Sequence, residues 1–278
     1  MQRVNFEIFV ISLPGSPRFQ LLRDQLNSQG ANYEVIKAVD GRQISDVELE
    51  REVDQRSCLA RLGYQIGRPL IGCALSHRKA YLRFLSSNAQ WAVVFEEDVR
   101  LQPEFESKLD SILSDLDFEA PTIVQLFTRG ERFVTRKSQR DLQDSYSLFQ
   151  FAAIPGQAAA YLINRSAAEL ALSAKRVDGP SDWPNWASRV NFFSVYPFLS
   201  SESAEGTTIG SPTTTRVKFW IRAIQIITGL HWVKYRDSFD SFYDYRILIV
   251  QPIYIRTKWV LAGRKTFPIG DTGGLWLL

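Results

Sequence analysis

The sequence contains two cysteines, Cys58 and Cys73, two histidines, His77 and His231, and one methionine in 278 residues. Two cysteines do not make a disulfide framework, so a reducing compartment is expected, and no metal set built from Cys and His is expected either. No run of about 18 uncharged apolar residues occurs, so no membrane-spanning helix is expected. Met1–Ile8 has no long apolar stretch, and Pro14 and Gly15 interrupt the apolar residues after it, so no secretory leader is expected. There is no Gly-x-Gly-x-x-Gly, no P-loop pattern and no Gly-x-Ser-x-Gly, which removes the usual signatures of dinucleotide binding, P-loop nucleotide hydrolysis and serine hydrolysis. Internal repeats and low-complexity tracts are also absent.

There is enough apolar material for a packed core: 45% hydrophobic and 13% aromatic residues exclude a disordered chain. The net charge of +3 gives no reason to expect a nucleic-acid partner. Its distribution is uneven, however. Residues 216–265 carry ten Lys and Arg against Asp237, Asp240 and Asp244, a surplus of +7 that leaves −4 for the rest. A basic, aromatic-rich tail on a mildly acidic body predicts peripheral contact with an anionic surface, a membrane face first. Within it, Phe219, Ile221, Ile224, Ile226, Ile227 and Leu230 lie among Lys218 and Arg222, as a packing helix or a membrane-surface helix would.

Hydrophobic period and turn chemistry predict an α/β fold. Phe6–Leu13 reads as a buried strand broken by Pro14-Gly15-Ser16-Pro17. Ser16 is expected to cap a helix with Pro17 in its first position, and Gly30 to end it. Tyr33–Val39 is a second strand, so the chain opens strand–helix–strand, the start of a parallel sheet. Short helices are expected over 43–66, with Ser45 as a cap. Gly67–Gly72 reads as a turn-rich entry to a helix carrying Ala74, Leu75, His77, Ala80, Tyr81, Phe84 and Leu85. Further strands are expected at 91–95, 122–127, 147–154, 158–163 and within 192–198. Helices are expected after Pro103 and after Asn164, and an exposed loop or hairpin over 129–143. Ser200–Thr215 reads as a mobile loop or linker. The domain expectation is therefore 1–205 for a catalytic or binding domain and 206–278 for linker and basic tail.

The stretch Trp91-Ala-Val-Val-Phe-Glu-Glu-Asp98 concentrates the chemistry. An apolar strand ends in Glu96, Glu97 and Asp98, three carboxylates that repel one another and resist burial. In extended chain Glu96 and Asp98 face one side and Glu97 the other. Glu96 and Asp98 thus form an acid-x-acid pair suited to a hard divalent cation, although a solvated acidic turn has the same sequence. Gly72-Cys-Ala-Leu-Ser-His77 places small residues where backbone can approach closely. It also sets Ser76 and His77 in an apolar pattern, as in a core helix with a satisfied histidine. Asp182 precedes Trp183-Pro-Asn-Trp186. Beside aromatic faces that stack on sugar rings it is a candidate general base, or simply a helix cap.

Four stretches then occur in a recognisable order: Phe9-Val-Ile-Ser-Leu-Pro-Gly-Ser-Pro-Arg18, Ala38-Val-Asp-Gly41, Gly72-Cys-Ala-Leu-Ser-His77 and Val94-Phe-Glu-Glu-Asp-Val99. Ala160-Tyr-Leu-Ile-Asn-Arg-Ser166 and Pro180-Ser-Asp182 continue it. Over residues 6–205 the chain resembles glycosyltransferase family 25, which includes bacterial lipooligosaccharide galactosyltransferases. The resemblance implies a GT-A-like nucleotide-sugar-binding fold with a mixed, mainly parallel central sheet flanked by helices. It also implies an inverting transferase using a UDP-sugar, usually UDP-galactose, and Mn²⁺ or Mg²⁺. By the same resemblance Glu96 and Asp98 would hold the metal, and Leu13, Pro14, Ser16 and Arg18 would shape the uridine pocket. Ser76, His77 and Glu97 would lie at the nucleotide site, with Asp182 as the base. The acceptor would be a cell-surface glycan or glycolipid such as lipopolysaccharide core, and the enzyme cytoplasmic, peripheral at the inner face of the plasma membrane. The family pattern reads Glu-Asp-Asp where this chain has Glu96-Glu97-Asp98, one methylene longer at the middle acid. A metal-dependent hydrolase or phosphoesterase, and a non-catalytic scaffold of transferase fold at a membrane, are the competing readings.

Overall fold

The computed structural model describes residues 4–62, 64–116, 118–128, 132–152, 154–182 and 185–203, together with short strands at 213–216, 267–268 and 275–277. The opening is the expected one. β1 (Phe6–Ser12) is buried from Ile8 onward, α1 (Phe19–Ser28) buries Leu22 and Leu26 one turn apart, and β2 (Tyr33–Lys37) lies parallel to β1. Ser16, expected as the cap of α1, is not its cap. The Ser16 N–H bonds the Leu13 carbonyl, closing a tight turn through Gly15 at φ +75°, and the helix starts only at Phe19 with Arg18 in the capping position. That turn, which needs a left-handed residue, takes up Leu13 to Ser16, and Pro17 then opens a second turn, its carbonyl accepting from the Gln20 N–H, ahead of the helix.

α2 (Asp46–Glu52) begins with a capping box, Ser45 and Glu48 each bonding the other's backbone N–H. α3 (Gln55–Leu62) and β3 (Tyr64–Ile66) come after it. α4 (Arg68–Leu85) starts earlier than the glycines suggest and runs straight through Gly72, with Pro69 in its first turn. β4 (Trp91–Glu96), β5 (Val99–Leu101), α5 (Phe105–Ser114) and β6 (Thr122–Gln125) come next. β7 (Arg132–Asp141) and β8 (Ser147–Phe151) form an antiparallel hairpin. β9 (Ala160–Asn164), α6 (Arg165–Ser173), β10 (Asn191–Tyr196) and β11 (Ser200–Glu202) complete the continuous part. β12 (Thr213–Arg216), β13 (Phe267–Pro268) and β14 (Leu275–Leu277) are the short strands beyond it.

The main sheet has ten strands in the order β13-β14-β7-β8-β10-β6-β9-β4-β1-β2. From the pairings, β1, β2, β4, β6, β7, β10 and β14 run one way, and β8, β9 and β13 run against them. It is the mixed, mainly parallel sheet flanked by helices that the resemblance implies. Strand alternation sorts the core into two layers. Val93 and Phe95 of β4 pack with Leu22 and Leu26 of α1 and Leu109 and Ile112 of α5. Ala92 and Val94 pack on the other face with Tyr81 and Phe84 of α4 and Ala167, Ala168 and Ala171 of α6. From β1 the chain passes through α1 to β2 on one side, then returns by way of α4 to β4 on the other. The C-terminal ends of β1 and β4 therefore form a topological switch point, where open α/β sheets bind ligands.

Two residues at the start of α6 hold this arrangement together. The Asn164 side chain accepts from the N–H groups of Ala167 and Thr122 and donates to the carbonyls of Phe118 and Ala120. Arg165 gathers the carbonyls of Leu85, Ser87 and Ala89 at the far end of α4. Replacing Asn164 by Ala is expected to remove a helix cap and leave buried backbone groups unpaired. The expected destabilisation is about 2 kcal/mol, read as a lowered urea midpoint at unchanged slope.

The stretch expected to be a mobile linker is in part ordered. β11 pairs with β5, β12 pairs with β3, and the Ser203 N–H bonds the Asp98 carbonyl at 2.8 Å. Ladder bonds use backbone groups, so a Ser- and Thr-rich composition does not prevent them. The basic stretch 217–266, on which the membrane-surface and helix expectations fall, lies outside the described residues. Among the described residues no helix is long and apolar enough to cross a membrane.

Candidate active site

Alternation carries Glu96 to the α4 side of the sheet, and then a turn at Glu97 and Asp98 ends the strand. Glu96 Oε1 meets His77 Nε2 at 3.2 Å and receives the Cys73 thiol at 3.4 Å. Glu97 turns to the opposite face. Its Oε2 accepts from Ser12 Oγ at 2.8 Å and from the Leu13 N–H at 3.2 Å, so it ties the acid turn to the end of β1. Asp98 forms an ion pair with Arg18, whose guanidinium also lies 3.8 Å from Glu97. Strand alternation accounts for Glu96 and Glu97 but does not extend to Asp98. Asp98 belongs to a turn, not to extended chain, and its close partner is Arg18.

Electrostatics set the two acids of this turn apart. Burial and the neighbouring Glu96 charge push the Asp98 carboxyl up, against the pull of Arg18. Glu96 is also penalised by burial, yet the hydrogen bonds from His77 and Cys73 and the charge of Arg18 bring it below the usual carboxylate range. Asp98 Oδ1 is buried with no hydrogen-bond partner. A buried carboxylate oxygen with an unused lone pair, beside a second acid 29% exposed, is a donor set that fits a hard divalent cation.

Behind Glu96 the polar contacts continue inward. His77 Nδ1 lies 2.8 Å from Tyr161 Oη, and Tyr161 Oη lies 2.7 Å from Tyr81 Oη; all three residues are buried. Burial pushes both tyrosine hydroxyls up, so they remain protonated and available as donors. Ser76, one residue before His77, donates to the Gly72 carbonyl and accepts from the Val39 N–H, which fixes α4 to the end of β2. Its hydroxyl is thereby committed to backbone. Ser181 Oγ lies 3.1 Å from Cys73 Sγ, bringing the loop that carries Asp182 against α4. Burial, then Glu96, with a smaller contribution from Asp182, holds the Cys73 thiol well above its ordinary pKa. Asp182 is exposed and close enough to act on this cluster through space.

The structure thus gathers Glu96, Glu97, Asp98, Arg18, Leu13 and His77 at the switch point, with Asp182 on the neighbouring loop. Pro14 and Ser16 lie on the turn above the end of β1. Sequence reasoning missed Ser12, Cys73, Tyr161 and Ser181 as parts of the site. Cys73 carries a readable signal, since it lies one helical turn before His77 on the same face. Tyr161 carries none, because a tyrosine in a buried strand reads as core.

Residues 5–182 match the family described as glycosyltransferase family 25 (LPS biosynthesis protein), and the chain belongs to that family. Among curated proteins it is 33% identical over 122 residues to a "Probable inactive glycosyltransferase 25 family member 3" of Bos taurus, covering 41% of this chain and 20% of that one. It is 31% identical over 117 residues to "Procollagen galactosyltransferase 2" of Mus musculus, covering 40% and 18%. The chain spans about a fifth of the length of these relatives. A crystal structure of a glycosyltransferase involved in glycosylating the major capsid of PBCV-1 overlaps 62% of this chain and 65% of that chain. It does so at 13% identity and a TM-score of 0.28, too distant to carry an argument.

Proposed function

We propose that the protein is an inverting glycosyltransferase of GT-A type. It would move a sugar, galactose in the first instance, from a UDP-sugar to a cell-surface glycan or glycolipid such as lipopolysaccharide core. The observation that carries this reading is the acid turn at the switch point, with the buried Asp98 Oδ1 unpartnered, in a chain of this family. The galactose reading leans on the name of the mouse relative.

Asp98, with Glu96, would hold Mn²⁺ or Mg²⁺, which when bound neutralises charge on the leaving diphosphate. Glu97 holds the Leu13–Arg18 turn in place through Ser12 and Leu13, so the turn can present its backbone and Arg18 to the nucleotide. Arg18 orients the Asp98 carboxylate and supplies a positive charge beside the diphosphate position. Asp182, exposed on the loop that Ser181 docks against α4, takes the proton from the acceptor hydroxyl as its oxygen attacks the sugar C1. Replacing Asp182 by Ala is expected to lower transfer by about 10²- to 10⁴-fold. Thermal stabilisation by donor and metal should be kept, and unchanged transfer would remove Asp182 from this role.

The test of the whole reading is a screen of UDP-, GDP- and CMP-sugars with Mn²⁺ or Mg²⁺, read as thermal stabilisation and nucleotide release. Stabilisation by a UDP-sugar only when metal is present is the expected result. Phosphate release from a phosphoester would favour a hydrolase instead. No stabilisation by any donor would favour a non-catalytic scaffold, a reading supported by the relative named as inactive. The basic stretch 216–265 suits an acceptor carried on an anionic membrane at its cytoplasmic face.

A further inference from the structure

Cys73 and His77 stand one turn apart on α4 and face Glu96 at the end of β4. Cys73 Sγ, a His77 ring nitrogen and a Glu96 carboxylate oxygen all lie within 4.8 Å of one another. The sulfur–oxygen separation is 3.4 Å and the nitrogen–oxygen separation 3.2 Å. A tetrahedral zinc with bonds of about 2.3 Å to sulfur and about 2.0 Å to nitrogen and oxygen needs separations of about 3.5 Å and about 3.3 Å along those edges. Two edges of the tetrahedron are therefore already formed. The donor set also differs in kind from the acid turn. Sulfur, imidazole nitrogen and one carboxylate oxygen select a borderline-soft cation, whereas Mg²⁺ and Mn²⁺ prefer oxygen throughout.

The surroundings support a ligand role for the histidine. With Nε2 on a cation, Nδ1 carries the ring proton and donates to Tyr161 Oη, which in turn donates to Tyr81. With the ring proton on Nε2 instead, Nε2–H donates to Glu96 and the hydroxyls point the other way. A pair of hydroxyls accommodates both directions, and a hydrogen-bonded far nitrogen is the usual support of a metal-bound imidazole. Ser181 Oγ, 3.1 Å from the sulfur, can donate to a thiolate. The partly exposed Glu96 leaves the trio open on one side.

We propose that Cys73, His77 and Glu96 form a binding site for a zinc-class cation with a fourth position open to water, and that filling it inhibits sugar transfer by taking Glu96 from the acid turn. The inhibitory role rests on the transferase reading; the site itself does not. Binding releases the thiol proton to solvent, leaves Nε2 without a proton and leaves Glu96 a carboxylate, so a neutral ring releases one proton per cation bound and a protonated ring two.

The test is a titration of the metal-free full chain with Co²⁺ and Cd²⁺, read by thiolate-to-metal charge-transfer absorption, and then Zn²⁺ competition. One equivalent with a thiolate band is expected, lost in Cys73→Ser and kept in Cys58→Ser. Tyr161→Phe is expected to weaken binding about 10- to 100-fold through the imidazole. Should the variants fold poorly, the wild-type chain still decides: Zn²⁺ is expected to slow alkylation of Cys73 at least tenfold while Mg²⁺ does not. Absence of the band, its persistence in Cys73→Ser, or equal alkylation with and without Zn²⁺ would overturn the site whatever the donor screen shows. A saturated site with undiminished transfer would overturn the inhibitory role.

Discussion

Replacing Asp98 by Asn is expected to lower sugar transfer by about 10²- to 10³-fold and to abolish stabilisation by metal and donor together. The amide keeps the shape of the carboxylate but not its charge, and the buried Oδ1 that makes Asp98 a ligand candidate becomes a weak donor for a cation. The informative control is Glu97→Gln. Glu97 uses one oxygen to accept from Ser12 Oγ and the Leu13 N–H, and an amide carbonyl can accept both. Loss of its charge toward Arg18 is the smaller change, at a 3.8 Å contact. Glu97→Gln should therefore stay within about tenfold of the parent, an effect the size of one or two neutral hydrogen bonds. Initial rates across a Mn²⁺ titration separate the two variants. If Glu97→Gln falls as far as Asp98→Asn, the middle acid is a ligand rather than a clamp, and the division of roles within the turn is reversed.

That division shows where sequence patterns carried and where they stopped. Period-two alternation is a property of extended chain, so it correctly sends Glu96 to the α4 face with Ala92 and Val94. It has no authority over Asp98, because the chain leaves the strand at Glu97. Turn chemistry behaved in the same way. Ser45 was legible as a cap, and the helix after Asn164 as a start, because a cap is a local bond between a side chain and the next turn of backbone. Ser16 was not, because Gly15 offered a competing turn of equal locality. The partners assembled from afar could not be read at all. Tyr161 comes to His77 from 84 residues away, and Ser181 to Cys73 from 108. Only the pairing of β9 against β4 and the docking of the 177–182 loop on α4 make them neighbours.

Gly72→Ala tests the packing on which all of these distances depend. In a helix interior glycine is less favourable than alanine by about 0.5 to 1 kcal/mol, so propensity alone predicts that the substitution stabilises. The contacts predict the opposite. A Cβ at Gly72 would stand 2.5 Å from the Val39 carbonyl oxygen and 2.6 Å from the Gly41 nitrogen, both backbone atoms that cannot swing aside. Gly41 faces it under the same constraint, since its own Cβ would meet the Arg68 carbonyl oxygen. Overpacking of this kind costs about 1 to 3 kcal/mol or more, which exceeds the propensity gain. The expected result is a net loss of at least about 2 kcal/mol for Gly72→Ala, with Gly156→Ala, where a Cβ meets nothing within 4 Å, as the near-neutral control. The consequence for function comes from position. Gly72 sits one residue before Cys73 and one turn before Ser76, whose hydroxyl bonds both the Gly72 carbonyl and the Val39 N–H. Pushing α4 off the Asp40–Gly41 turn would move Cys73 and His77 away from Glu96 together, so Gly72→Ala should also weaken binding of the Cd²⁺ probe. A variant of unchanged or raised melting temperature would show that α4 can shift without strain, and that the spacing between Glu96, His77 and Cys73 is not set by this contact.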